Sequence, residues 1–213
     1  MSRNPLRAAT QFFGGRVCLD FANTLDWRTS GDPQELIPDY ETLIAWSVRR
    51  GTVSKKTANR LCSHARANPA AVAVAMAGAF SLRAEIWKIA EGLIEKRQID
   101  LDVVNAIVAP LPRQPRLLGQ AGTYLYDLPG DDLSAPLWPV LWSLTAVLTS
   151  DDAMRIGCCH AGGCGWFYVD ESPNRTRMWC SSEVCGNRER ARRAYARRSK
   201  PTQSVRRRPR TIA

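Results

Sequence analysis

Four cysteines in two equal pairs are the residues of this chain best suited to chemistry. Cys159 and Cys164 form one Cys-x4-Cys pair, Cys180 and Cys185 form another, and 15 residues separate the pairs. Thiolates bind Zn2+ strongly, and four of them close a tetrahedral structural site that leaves no position open for a substrate. Cys158 and His160 flank Cys159 as rival ligands, and Cys159 is preferred because it makes the two pairs equal in spacing. Cys18 and Cys62 stand alone and read as small buried hydrophobes. The expected cofactor is structural zinc.

The second chemical feature follows the second cysteine pair directly. Ser181 or Ser182 can cap a helix there, with Glu183 in its first turn. Arg188, Arg190, Arg192, Arg193, Arg197 and Arg198 then occupy nearly every azimuth of that helix before Pro201 ends it. Such a helix has almost no apolar face, so core burial cannot hold it: the metal would anchor one end and a polyanion would neutralise the rest. Arg188, Arg192, Tyr195 and Ser199 share one face, and Arg190, Arg193 and Arg197 share another. One face reading base edges and the other holding phosphates is the arrangement expected of a DNA reader.

Charge is distributed accordingly. The 213-residue chain carries a net charge of +10, yet residues 1–154 hold 16 Lys/Arg against 16 Asp/Glu. Residues 155–213 hold 14 Lys/Arg and 4 Asp/Glu, so the whole excess lies in the C-terminal quarter. A one-sided basic segment is the footprint of a polyanion partner, DNA or RNA, and on charge alone equally of a solvated basic tail. No membrane partner is expected, because no apolar run approaches the roughly 20 residues a bilayer requires. With no secretory signal recognised either, the expected location is the cytoplasm, where thiols stay reduced, with the protein on the nucleoid when bound. An enzyme is not expected: only His64 and His160 are present, and no nucleophile–base pair, phosphate loop or paired-carboxylate motif is found.

The elements upstream must position this segment. Residues 1–11 read as an arm, residues 12–152 as a mainly helical domain, residues 155–200 as the finger and residues 201–213 as a disordered basic tail. Val17–Phe21 suits a buried strand or a helix start, with Asp20, Asn23 and Thr24 capping the turn behind it. Helices are predicted over Tyr40–Arg50, stopped by Gly51, and over Lys55–Ala67, capped by Ser54. The longest runs from about Ala70 to Arg97, with Arg83 set in its apolar stripe and needing a carboxylate, for which Asp20 is the candidate. Leu101–Ala109 makes a short helix, Tyr124–Leu128 alternates as a hairpin strand, and Ser134 caps a last helix bearing Leu137, Leu141, Leu144 and Leu148. Trp166, Phe167 and Tyr168 should form a strand packed near the metal.

The segment resembles the CGNR zinc finger, through Cys185-Gly186-Asn187-Arg188, the Cys159/Cys164 pair with Gly165-Trp166 behind it, and Trp179-Cys180. Upstream, GGRVCLDFANT, Leu43-Ile44-Ala45-Trp46, Leu82-Arg83 and the helix before Arg155 are similar to the ABATE domain. The resemblance implies a zinc-dependent bacterial transcription regulator of stress-response type. Its finger would bind DNA, and its upstream domain would sense an effector or mediate assembly. The alternatives are an RNA-binding zinc protein, or a small-molecule binder whose finger contacts protein. The architecture expected is α+β: helices with a small antiparallel sheet, then a treble-clef-like or ribbon-helix finger. The oligomeric state is left open.

Overall fold

The computed structural model describes residues 11–111, 116–120 and 122–198. The predicted arm up to residue 10, Ser199 and the basic tail lie outside the described residues. After the Gly14–Gly15 turn the apolar run coils into a short helix, α1 (Val17–Ala22), with every side chain beyond Val17 buried. Strands β1 (Leu25–Asp26) and β2 (Gln34–Glu35) pair antiparallel, Leu25 opposite Glu35. Helix α2 (Tyr40–Arg50) starts where Asp39 accepts from the Thr42 amide and stops at Gly51. Helix α3 (Lys55–Ala67) starts with Ser54 accepting from the Thr57 amide. Both helices have the bounds read from caps and periodicity.

Helix α4 (Pro69–Ile94) is the spine, burying Met76, Leu82, Ile86 and Ile89. Its length and composition are enough to cross a membrane, which corrects the expectation that no apolar run comes near that length. Its C-terminal half instead lies in the protein core, and Arg83 on it is buried and paired. The partner is Glu35, not Asp20, with Thr24 Oγ1 accepting a further bond from Arg83 Nη1 at 2.9 Å. Asp20 is already taken. Its carboxylate accepts from Gly14 N at 2.8 Å and Arg50 Nε at 2.7 Å, while burial pushes its carboxyl above the ordinary carboxylate range. Asp20 and Asn23 thus tie distant segments together, where turn capping was expected of them.

Helix α5 (Leu101–Val108) and the hairpin of β3 (Arg116–Gln120) and β4 (Thr123–Asp127) follow, the hairpin registering Arg116 with Asp127. Ser134 does not cap the next helix: no side-chain bond is made, and a 3-10 turn over Ala135–Leu137 leads into α6 (Trp138–Leu148) instead. Pro136 and Pro139 in consecutive first turns remove the amides that a cap would have satisfied.

The finger is a ribbon followed by a helix. Strand β5 (Ile156–Cys158) pairs antiparallel with β6 (Phe167–Val169), Gly157 opposite Tyr168. A π-helical turn over Ser182–Gly186, capped by Ser181 at the Val184 amide, opens into α7 (Asn187–Arg198). Because side chains alternate along a strand, β6 faces two cores. Phe167 and Val169 belong to the main core with α1, α4 and α6, while Trp166 and Tyr168 pack with the four paired cysteines and Leu36. The finger is therefore built onto the upstream domain.

Candidate metal centre and nucleic-acid interface

The Sγ atoms of Cys159, Cys164, Cys180 and Cys185 all lie within 4.8 Å of one another, and all four residues are buried. Cys164 and Cys180 are 3.8 Å apart, Cys180 and Cys185 3.5 Å, and Cys185 and Cys164 3.8 Å. A sulfur tetrahedron about 2.3 Å from a central Zn2+ has edges of about 3.8 Å, whereas a disulfide closes to about 2.0 Å. None of the cysteines is disulfide-bonded. The donor set and its edges fit zinc. The rivals are placed elsewhere: Cys158 packs on the main core, where burial raises its thiol pKa, and His160 is exposed. Cys18 is fully buried, and desolvation pushes its thiol up to about 11, so it stays a neutral apolar filler.

The metal ligands are carried by local turns that explain their spacing. Cys159 and Cys164 sit at either end of the β5–β6 turn, with Cys159 N donating to Trp166 O at 2.8 Å. Cys180 and Cys185 straddle the start of the π-turn. Arg177 locks the segment between β6 and the second pair. Its guanidinium donates to the carbonyls of Val169, Trp179, Phe13 and Cys180 and stacks 4.3 Å over Tyr168, whose hydroxyl donates to Arg177 O. Burial also pushes the Tyr168 phenol up to about 12. Sequence reading passed over Arg177 because a cup of backbone carbonyls leaves no residue-type signature.

Asn23 fastens the ribbon to α1. Its Oδ1 accepts from Phe167 N at 2.8 Å and its Nδ2 donates to Phe167 O at 2.8 Å, so one buried side chain pairs with β6 as a neighbouring strand would. Removing it leaves a buried amide and carbonyl unsatisfied, each costing about 1–3 kcal/mol. Asn23→Ala is expected to destabilise the whole protein by about 3 kcal/mol in urea unfolding. An unchanged midpoint would refute this role.

The predicted nucleic-acid residues separate into two groups. Arg188 is turned inward, with its Nη2 3.3 Å from Cys185 Sγ and its guanidinium 4.2 Å over the Trp27 ring. Arg190 bonds Ser182 O and Asn187 Oδ1 at the helix start. Glu189 accepts from Gly162 N at 3.3 Å and pairs with Arg192, which puts that azimuth against the metal knuckle. Arg193, Arg197 and Arg198 reach past it into solvent, all exposed, and no residue of α7 is buried. The CGNR motif has a physical account here. Cys185 ligates, Gly186 fits against Trp179, where a Cβ would come within 3.2 Å, Asn187 holds Arg190, and Arg188 braces the sulfur.

Comparison with known proteins agrees with this geometry. Residues 15–151 match the ABATE family, described as "Putative stress-induced transcription regulator", and residues 155–198 match the CGNR zinc finger. The chain belongs to the ABATE family and carries a CGNR zinc finger. No curated protein matches it. With the family finger and the four-sulfur cage together, the protein is a structural-zinc protein.

Proposed function

We propose that this ABATE–CGNR protein is a transcription regulator that binds duplex DNA through α7. The observation that carries this reading is the outward face of that helix, where Arg193, Arg197 and Arg198 are exposed beside a rigid metal cage. Arg193 and Arg197 are one helical turn apart and suit phosphates on one side of a groove. Arg192, paired with Glu189 beside the knuckle, contributes charge, while Arg188 and Arg190 hold the helix in place. The upstream domain serves in sensing or assembly, and its fused contact with the finger is what would pass a signal on.

The test is fluorescence anisotropy with duplex fragments selected from genomic DNA, run against structured RNA as competitor. Every phosphate that is no longer neutralised lowers the salt slope by about 0.9. Arg193→Ala with Arg197→Ala is expected to weaken binding and to flatten that slope by the equivalent of roughly two phosphates. Binding that prefers structured RNA, or a slope that the double variant leaves unchanged, would overturn the proposal.

A further inference from the structure

The segment after β1 makes an unusual contact with the metal knuckle. Trp27 sits at φ 55°, a left-handed backbone that a bulky aromatic residue rarely adopts. That strain places its ring against Gly163, where a Cβ would lie 2.8 Å from Trp27 Cε3. Next to it, Thr29 closes on Gly165, where a Cβ would lie 2.6 Å from Thr29 Cγ2. Both glycines have positive φ, 82° and 67°, so the knuckle is shaped to admit this wedge and nothing larger than hydrogen on its own side. Arg28, between them, donates to Gly165 O at 3.2 Å and pairs with Glu91 of α4 at 2.7 Å. The outer face of the Trp27 wedge carries the guanidinium of Arg188, the first arginine of α7.

We propose that Trp27 is a positioning residue for nucleic-acid recognition: the upstream domain aims α7 by stacking Trp27 under Arg188. This rests on the reading of α7 as the DNA-contacting element. The helix buries no residue of its own, so its direction is set near its N-terminal end by the Cys185 ligand, the Glu189–Gly162 bond and the Arg188 stack. The ligand and the Glu189 bond both hold α7 to the knuckle, and the Arg188 stack is what holds it to the upstream domain. Trp27 supplies that contact across a wedge that the Arg28–Glu91 pair ties to the spine helix. Any event that shifts β1 or α4 therefore moves the aim of α7 without touching the exposed arginines.

The experiment uses the full-length, zinc-loaded protein. Trp27→Ala should keep one zinc per chain and speed amide exchange in α7 but not in α4. It should weaken duplex DNA binding about fivefold, the equivalent of one cation–π contact, with the salt slope unchanged because every phosphate remains neutralised. Trp27→Phe, which keeps a ring under the guanidinium, should restore most of both readouts. If Trp27→Ala sheds zinc, Arg188→Lys is the second variant. It keeps the charge and loses the planar stack, and the same pattern is expected. Either variant showing parental exchange in α7 and parental affinity overturns the proposal, as does Trp27→Phe failing to rescue. Should the parent bind no duplex DNA, the functional reading fails, and the positioning role is then decided by α7 exchange alone.

Discussion

Removing the metal with a strong chelator is expected to melt α7, to abolish nucleic-acid binding and to lower the stability of the upstream helices as well. The first two effects follow from the finger itself. Four buried thiolates cannot share so small a space without a dication, and structural zinc contributes about 10–16 kcal/mol in fingers of this size. Nothing apolar on α7 is available to replace it, since that helix has no buried residue. The third effect follows from β6. Phe167 and Val169 are 0% and 1% exposed within the upstream core, so the apo protein opens a gap there. Burial of a Phe and a Val side chain is worth about 4 kcal/mol together. At about 2–4 °C per kcal/mol for a chain of this length, Tm of the upstream helices should fall on the order of 10 °C. Circular dichroism melts with and without chelator check this, and Cys180→Ser should reproduce the apo curve. An upstream transition that chelation leaves in place would mean that the finger is an independent module and that β6 is not shared.

The parts of this structure that repeat locally were readable from sequence, and the parts that join distant segments were not. Helices α2 and α3 announce themselves through Gly51 and Ser54, each of which acts within a turn of its own position. The metal ligands are legible for a similar reason, since a Cys-x4-Cys pair is a local event and only the meeting of the two pairs is long-range. Asn23 lies 144 residues from Phe167, and nothing around it signals a strand-like partner. The same holds for Arg177, whose acceptors are carbonyls that every residue possesses. The even spread of arginine around α7 correctly excluded an apolar face, yet it gave all six arginines the same weight. Only the position of Trp27 and the knuckle separates those that brace the helix from those that face outward.

The ion pair of Arg83 and Glu35 should be among the most costly single interactions to break outside the metal centre. Arg83 is set in the apolar stripe of α4 with its side chain 6% exposed, and its Nη1 and Nη2 both donate to the Glu35 carboxylate. Phe80 and Trp87 flank the guanidinium at 5.1 and 5.4 Å, so little water can take the place of a missing partner. Breaking one side of a buried pair costs about 3–5 kcal/mol, mostly the penalty of the charge left behind. Glu35 is 29% exposed, which places Glu35→Ala at about 3 kcal/mol, near the low end of that range. Replacing both partners, as Arg83→Met with Glu35→Leu, should recover most of the loss, because the desolvation cost disappears with the charges. Asp20→Asn should leave Arg83 undisturbed and act instead through Gly14 and Arg50. Urea unfolding of the parent, Arg83→Met, Glu35→Leu and the double variant forms the cycle, and additive losses would show that the pair is not coupled. The pair also has a consequence for α7. Glu35 closes the β1–β2 segment that carries Trp27 and Arg28, so freeing it from the spine loosens the wedge under Arg188. Glu35→Ala should therefore speed amide exchange in α7 at full zinc loading.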